Sequence, residues 1–312
     1  MKQKYAVGTD IGGSHITCAL IDLEHQMILP ETRVTIPVDN AAPADIILGV
    51  WSEAIGEAIL GIAIDELAGI GFAMPGPFDY VNGIALFERV EKYLGLYGVN
   101  VSEEIRSLLK LPARVSFRYM NDATAFAVGE AWIGVAEEVK KSMAITLGTG
   151  FGSAFIDDGI PVVDRKDTPP LGCVWHLPYK DSIADNYFST RWFVRQYAEL
   201  SGETVCGVKE IADVARKDPK VAALFTEYGA GIGGFLGPWL NTFNAEILVI
   251  GGNMAGASDL FLPAFEKALA DLNCKTRIAW SELKEDAALI GSARLLDPGY
   301  WVKIERLIEK MN

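Results

Sequence analysis

Three glycine-rich turns follow apolar stretches in this sequence, and the first of them carries a carboxylate. Residues 10–14 read Asp-Ile-Gly-Gly-Ser and follow a strand-like stretch. Glycine lets the backbone approach phosphate oxygens, and successive N–H groups form a concave anion site. A carboxylate at this position can hold Mg²⁺ through water. This first glycine loop predicts a phosphate site beside a metal ion, with the contacts Asp10, Gly12, Gly13 and Ser14.

Two further glycine turns repeat the arrangement without the carboxylate. Residues 148–152 read Gly-Thr-Gly-Phe-Gly. They form the second glycine loop and predict another phosphate cradle, with the contacts Gly148, Thr149 and Gly150. Gly251 and Gly252 follow an apolar stretch and predict room for a nucleoside. One such turn alone is typical of an ordinary hairpin, but three at these separations favour a nucleotide site.

The pair Asn121-Asp122 follows a predicted strand and precedes a helical stretch. One interpretation makes Asp122 the N-cap of that helix, since aspartate is a preferred N-cap residue. The other makes it a carboxylate at a sheet edge that accepts a proton from a hydroxyl. Phosphoryl transfer depends mainly on alignment and charge neutralisation, so an ordinary aspartate suffices for that role.

The elements around these residues predict an α/β chain with two halves of similar build. Both glycine loops lie between two strand-like stretches, and Gly13-Ser14 aligns with Gly148-Thr149 at an offset of 135 positions. Ligands of such sheets bind in the crevice beyond the strand ends. Two halves of this kind therefore predict a cleft between domains.

Local patterns predict the main helices and one buried strand. Helical spacing of apolar residues predicts helices over residues 45–62, 101–109 and 220–243, the second with Ser102 as its cap. Residues 67–74 read as a buried strand. The glycines 229, 231 and 234 form a Gly-x-Gly-x-x-Gly pattern inside the third helix. We interpret that pattern as a face for close helix packing, because a dinucleotide site needs it directly after a strand.

Composition excludes several classes of protein. The 312 residues carry a formal net charge of −13, which disfavours binding to nucleic acid. The sequence has no Walker-type phosphate loop and no apolar run long enough to span a membrane. Its four cysteines lie far apart, so neither a local zinc knuckle nor a disulfide framework is predicted. We expect a cytoplasmic protein whose partner is a small molecule.

The motifs together resemble the ROK family of bacterial sugar kinases, which shares its fold with hexokinase and actin. The resemblance runs over nearly the whole chain. It implies two RNase H-like domains of the actin/hexokinase-like ATPase type around an interdomain cleft. The expected domains are residues 1–118 plus 291–312, and residues 119–290. The segments that carry the resemblance are residues 10–14, 71–77, 121–130, 147–152, 250–252 and 288–293.

The resemblance also implies roles for single residues. It makes Asp122 the catalytic base, assigns sugar contacts to Asn121 and Gly76, and assigns ATP to the three glycine turns. The implied reaction is ATP-dependent phosphorylation of a hydroxyl on a hexose or N-acetylhexosamine, with Mg²⁺ as the metal. A homodimer is expected from the resemblance alone.

One segment departs from the family pattern. The family usually has Gly-Glu-x-Gly-His followed by a cysteine cluster that binds zinc, whereas residues 172–176 read Gly-Cys-Val-Trp-His here. Cys173 replaces the glutamate, and a thiol is a poor acceptor for a sugar hydroxyl. His176 is retained, and Asp185 aligns with a later sugar-binding glutamate. We expect both to contact the sugar, and we expect no structural zinc because the cysteine cluster is missing.

Two alternative functions follow from the same resemblance. A sugar-responsive repressor of this family would need a DNA-binding segment before the first strand, and the acidic charge disfavours one. A catalytically weak sensor of sugar or nucleotide is the other alternative, and the replacement at Cys173 permits it. Retention of Asp122 and of both phosphate loops favours the kinase.

Overall fold

The computed structural model describes residues 3–88 and 92–311, which form two compact units. The first unit comprises the chain up to Gly134 together with the segment from Glu285 onward, and the second comprises Val135–Lys284. The expected boundaries were 118/119 and 290/291. The units instead divide at 134/135 and 284/285, which assigns the helix after Asn121 to the first unit.

The first unit is built on a six-stranded sheet. Its strand order is β3-β2-β1-β5-β8, with β4 paired to β2. Strands β1, β5 and β8 are parallel, and β2 is antiparallel to β1. Every residue of the central strand β5 is buried, as expected where a parallel strand is covered on both faces. The elements before the second unit are β1 (Tyr5–Ile11), β2 (His15–Asp22), β3 (Met27–Ile28), β4 (Val34–Pro37), α1 (Ala44–Ala58), β5 (Leu67–Met74), β6 (Phe78–Asp79), β7 (Ile84–Ala85), α2 (Val101–Leu108), β8 (Ser116–Asn121) and α3 (Asp122–Ile133).

The second unit repeats this sheet with five strands in the order β11-β10-β9-β14-β15. The pair β9 and β10 is antiparallel, while β9, β14 and β15 run parallel. Its elements are β9 (Lys141–Leu147), β10 (Phe151–Asp157), β11 (Ile160–Pro161), β12 (Pro178–Tyr179), β13 (Ser182–Ile183), α4 (Ala184–Phe188), α5 (Thr190–Ser201), α6 (Val208–Ala215), α7 (Pro219–Phe243), β14 (Ile247–Gly251), α8 (Ser258–Asp271) and β15 (Arg277–Trp280).

The same connectivity recurs in both units. Each opens with a hairpin whose turn is a glycine loop, and two parallel strands then extend the sheet on the side of the first strand. This is the RNase H-like arrangement expected from the sequence. The short match at an offset of 135 positions therefore reflects two hairpins of the same build.

The last two helices, α9 (Asp286–Arg294) and α10 (Pro298–Ile308), belong to the first unit. Helix α9 packs so closely that three glycines are needed where it passes. A Cβ on Gly8 would stand 2.0 Å from the Leu289 carbonyl oxygen, and one on Gly71 would stand 1.9 Å from that of Ser292. A Cβ on Gly129 of α3 would come within 2.0 Å of the Ala287 oxygen. These approaches fix α3 and α9 in one unit with β1 and β5.

Helices α7 and α8 use glycine in the same way in the second unit. A Cβ on Gly229 would stand 2.1 Å from the Phe261 carbonyl oxygen, and one on Gly233 would stand 2.7 Å from that of Phe265. The Gly-x-Gly-x-x-Gly pattern lies within a continuous helix, but of its three glycines only Gly229 packs closely against α8. Gly231 faces the Tyr179 hydroxyl, and a Cβ on Gly234 would meet no atom within 4 Å. No helix among residues 3–88 and 92–311 combines the length and apolarity that a membrane crossing needs.

One predicted cap is wrong. The N-cap of α2 is Asn100, whose side chain accepts a hydrogen bond from the Glu103 N–H at 3.1 Å. The Ser102 hydroxyl instead lies 2.7 Å from the Tyr119 hydroxyl. The helix begins two residues earlier than a Ser102 cap requires, because the side chain of Asn100 satisfies the free N–H group equally well.

Candidate functional site

The predicted residues of the first unit come together at one edge of its sheet. Strands β1, β5 and β8 are parallel and in register, with Asp10 opposite Ala73 and Met74 opposite Asn121. Their carboxyl ends therefore present Asp10, Gly76 and Asn121 at the same edge, which is where open α/β sheets bind ligands.

The first glycine loop is held in shape through its carbonyl oxygens. The Tyr93 hydroxyl donates to the Gly12 carbonyl at 2.6 Å, and the Asn40 side-chain amide donates to the Gly13 carbonyl. The Val38 N–H donates to the Ser14 carbonyl at 2.8 Å. Contacts from neighbouring segments thus fix the conformation of the loop.

Asp10 stands at the start of this loop in an environment that opposes its ionisation. Burial raises the pKa of Asp10 to about 7, and the negative charges of Asp122 and Glu285 add to the effect, while Arg33 opposes it. Asp10 near the end of β1 and Asp122 directly after β8 lie at the same edge of the sheet. A pair of carboxylates at such a loop is a suitable site for a divalent cation.

Asn121, not Asp122, is the N-cap of α3. The Asn121 side chain accepts hydrogen bonds from the N–H groups of Ala123 and Thr124, at 3.1 and 3.3 Å. One Asp122 oxygen accepts from the Ala123 N–H at 2.8 Å. Burial raises the pKa of Asp122, and the Lys92 charge lowers it. The capping interpretation of Asp122 is therefore wrong, which leaves its carboxylate available for chemistry at the sheet edge.

Lys92 and Tyr93 join this site from a segment that the sequence left unassigned. Tyr93 is completely buried and adopts a left-handed backbone conformation with φ of 58°. Its N–H donates to the Asn40 carbonyl at 2.9 Å. The two residues lie some eighty positions from the loop and belong to no motif, so only tertiary contacts bring them there.

The second glycine loop is held in a similar way within the second unit. The Gly148 N–H donates to the Gly150 carbonyl at 3.1 Å, and the Thr190 N–H donates to the Gly148 carbonyl at 2.8 Å. The Asp185 carboxylate accepts from the Phe151 N–H at 2.8 Å. Thr149 is exposed, as is Gly150. The tip of the loop is thus accessible while its base is fixed by α4 and α5.

The third glycine turn lies beside the second loop. Strand β14 runs parallel to β9 and places Gly251 opposite Thr146. Gly252 has φ of +93°, and a Cβ there would stand 2.3 Å from the Leu147 carbonyl oxygen. Only glycine fits this position, so the structure brings the two predicted nucleotide segments of the second unit together.

The predicted sugar segment of the second unit is compact. The Cys173 Sγ lies 3.6 Å from the His176 Nδ1. Burial raises the pKa of the Cys173 thiol to about 11 and lowers the pKa of His176. At neutral pH the pair is therefore a thiol beside a neutral imidazole. The Asp185 N–H donates to the Trp175 carbonyl at 3.0 Å, which links this segment to the second loop.

Asp185 already has two partners. Besides the Phe151 N–H, its carboxylate forms an ion pair with Arg191. A carboxylate bound in this way holds the base of the second loop in place. Its predicted contact with a sugar remains a prediction, and that contact would have to share the same oxygens.

A metal ion is usually held by several grouped side chains. Across the part of the chain that the structure describes, no three His, Cys, Asp or Glu side chains are grouped so that they would hold a metal ion. The pair Asp10 and Asp122 falls short of such a group. Two carboxylates nevertheless suit a divalent cation whose remaining positions are filled by oxygen atoms of a ligand and of water.

Sequence comparison identifies the family. Residues 6–168 match the model of the ROK family. The chain belongs to the ROK family. The glucokinase of Thermotoga maritima is 24% identical over 318 residues, which cover 93% of this chain and 96% of the relative. The N-acetyl-D-glucosamine kinase of Haemophilus influenzae is 24% identical over 286 residues, which cover 84% of this chain and 88% of the relative.

A solved structure of the same family shows the fold. The ROK family glucokinase from Streptomyces griseus, determined in complex with glucose and AMPPNP, matches with a TM-score of 0.72 at 22% sequence identity. The match covers 93% of this chain and 98% of that one. The two-domain, actin-like ATPase fold implied by the resemblance is thereby confirmed.

Proposed function

We propose that this ROK protein is an ATP-dependent sugar kinase that transfers the terminal phosphoryl group of ATP to a hydroxyl of a hexose or N-acetylhexosamine. The observation that carries the proposal is the sheet edge of the first unit, where a glycine loop fixed by its neighbours lies at the same edge as two carboxylates, Asp10 and Asp122. Relatives named glucokinase and N-acetyl-D-glucosamine kinase support the same reaction class.

Asp122 is the proposed catalytic base. Its backbone is fixed at the first turn of α3 by the Asn121 cap, and one of its oxygens accepts from the Ala123 N–H. The raised pKa keeps the carboxylate a better proton acceptor than an exposed aspartate. As the sugar oxygen attacks phosphorus and the bond to the ADP oxygen breaks, the hydroxyl proton passes to Asp122.

Nucleotide binding is assigned to the glycine segments. The contacts proposed in the first loop are Gly12, Gly13 and Ser14, and those proposed in the second unit are Gly148, Thr149, Gly150, Gly251 and Gly252. Asp10 would hold Mg²⁺ through water, and the ion would supply positive charge to the phosphate oxygens. Mg²⁺ suits this place because a cation relieves the repulsion between the neighbouring carboxylates of Asp10 and Asp122.

Sugar binding is assigned to Asn121, Gly76, His176 and Asp185. The sugar that accepts the phosphoryl group is proposed separately, because one of the named relatives is a glucokinase and the other an N-acetyl-D-glucosamine kinase. The Cys173 thiol and the His176 imidazole are both neutral, so neither provides a charged hydrogen-bond acceptor for a sugar hydroxyl. We therefore expect weak activity on glucose and a preference for another hexose or a 2-acetamido sugar.

We infer a cytoplasmic homodimer that uses Mg²⁺, binds no nucleic acid and contains no structural zinc. Elemental analysis after dialysis checks the last point, and about one zinc per chain would contradict it. Light scattering of the purified protein measures the oligomeric state.

A sugar panel tests the proposed function directly. Purified protein is incubated with Mg-ATP and each of several hexoses and 2-acetamido hexoses, and ADP release is measured against a no-sugar control. We expect sugar-dependent ADP release with at least one acceptor, and the D122N variant should abolish it. Sugar binding without turnover would instead support the alternative, a sensor of the same fold.

A further inference from the structure

Lys92 brings a positive charge to the first glycine loop. A Cβ atom on Gly13 would stand 2.8 Å from the Lys92 Nζ, so the ammonium lies against the backbone of the proposed phosphate cradle. The same charge lowers the pKa of Asp122, opposing the effect of burial. One ammonium is therefore close enough to act on both the loop and the proposed base.

Tyr93 anchors the backbone next to this lysine. The Tyr93 ring packs edge-on against Trp51, with centroids 5.5 Å apart, and its hydroxyl donates to the Gly12 carbonyl at 2.6 Å. The residue next to Lys92 is thus tied to the same loop that Lys92 faces. The backbone that carries Lys92 is thereby held beside the first glycine loop.

Arg33, the cation that acts on Asp10, is already engaged. Arg33 forms ion pairs with Glu285, at 3.1 Å, and with Asp286. The site otherwise contributes the negative charges of Asp10 and Asp122. A terminal phosphoryl group carries negative charge on three oxygens, and a cation at those oxygens stabilises its transfer. Lys92 has the charge and the place to supply this.

We propose that the Lys92 ammonium binds the terminal phosphoryl group of a nucleoside triphosphate held at the first glycine loop. The ammonium donates hydrogen bonds to phosphoryl oxygens and forms no covalent bond itself. The identification of the ligand rests on the proposed kinase function. The other role open to Lys92 is to neutralise Asp122 alone, which would give no preference for a triphosphate.

The deciding experiment is calorimetric binding of AMPPNP and of ADP, each with Mg²⁺, to wild type and to the K92M, K92R and K4M variants. We expect K92M to weaken AMPPNP binding about 10-fold or more and ADP binding less than about 3-fold, since charge-assisted bonds to the terminal phosphate are lost. K92R keeps the charge and should retain most of the affinity. K4M removes a lysine 3.8 Å from Glu66 in the same unit and should bind both ligands as wild type does.

The outcomes distinguish failure of the role of Lys92 from failure of the kinase function. Wild-type AMPPNP affinity in K92M overturns the role of Lys92, and so does an equal loss for AMPPNP and ADP. If K92M does not fold, the uncharged K92Q variant replaces it: a larger loss for AMPPNP than for ADP supports the role of Lys92, and an equal loss overturns it. Absence of sugar-dependent turnover in wild type overturns the kinase proposal, while the binding comparison still decides the role of Lys92.

If the wild-type protein phosphorylates a sugar, the kcat of that reaction provides a second test of Lys92. The kcat of K92M should fall about 100-fold, because a cation at the transferring group acts mainly in the transition state. KM for the sugar should change little. A kcat within about 3-fold of wild type contradicts the proposal.

Discussion

The two glycine loops occupy the same place in two sheets of the same strand order, yet their surroundings differ. The first loop has Asp10 in it and Asp122 and Lys92 near it, and these charges act on one another. The carboxylate that binds the second loop, Asp185, accepts from the Phe151 N–H and pairs with Arg191. A duplicated scaffold therefore supplies two backbone cradles, while titratable groups are concentrated at the first.

The sharpest test of this difference is the D122N variant. Asparagine keeps the shape of the side chain and can still accept from the Ala123 N–H, but it cannot take a proton. We expect kcat to fall about 1000-fold, within the range for a general base, with sugar and nucleotide affinities nearly unchanged. The matched control is D65N, which alters an exposed aspartate paired with Arg114. Retention of more than about a tenth of wild-type kcat contradicts the assignment.

The D10A variant tests the metal side of the first loop. Removing the carboxylate that faces the proposed Mg²⁺ should lower kcat/KM for Mg-ATP about 100-fold or more, since a metal ion at the phosphates contributes several kcal/mol. Sugar affinity, measured by calorimetry without nucleotide, should change less than about 3-fold. An equal loss of sugar and nucleotide binding would point instead to a structural role for Asp10 in the first hairpin.

The C173E variant tests the second unit, where the titratable groups differ from the usual pattern of the family. A charged hydrogen bond to a sugar hydroxyl contributes about 1.5–3 kcal/mol, so we expect kcat/KM for glucose to rise about 10-fold relative to that for N-acetylglucosamine. The exposed Cys206 provides the control variant C206E. If wild type strongly prefers glucose and C173E loses that activity, then Cys173 does not stand at the position of the family's glutamate.

The smallest expected effect is on stability. Burial raises the pKa of Asp122 in the folded protein, so the folded state binds this proton more tightly than the unfolded state. The stabilising effect is complete below the ordinary aspartate pKa and is lost as pH rises through the folded value. At pH 8 the D122N variant avoids the cost of a buried charge, and its Tm should exceed that of wild type by about 3 °C.

Thermal unfolding at pH 8 and at pH 5, in buffer with a chelator, measures this effect. The stabilisation by D122N should be larger at pH 8 than at pH 5. D65N serves as the control, because an exposed ion pair contributes about 0–1 kcal/mol. A stabilisation that is equal at both pH values would show that the charge of Asp122 is not its source.

The local sequence determined much of the fold. Strand β5 coincides with its predicted span of residues 67–74, and the third predicted helix, at residues 220–243, differs from α7 by one residue. Alternation, apolar runs and helical spacing are properties of neighbouring residues, so they can be read without the tertiary structure. The pairs of strands around both glycine loops were predicted for the same reason.

Other features were decided only by tertiary contacts. Helix α1 ends at Ala58 although the apolar spacing continued to residue 62. The choice of Asn100 over Ser102 as a cap, like that of Asn121 over Asp122, was open because neighbouring polar residues compete for the same N–H groups. The expected domain limits likewise did not anticipate how closely α3 passes α9.

The amino-acid sequence by itself determined the family, the two glycine loops and the candidate roles of Asp10 and Asp122, because these depend on short motifs. The tertiary structure decided which side chains surround those motifs. It brings Lys92 and Tyr93 to the first loop from about eighty residues away, and it binds Asp185 to the second loop. No local pattern encodes such contacts, because they arise only when the packing of each unit brings distant segments together.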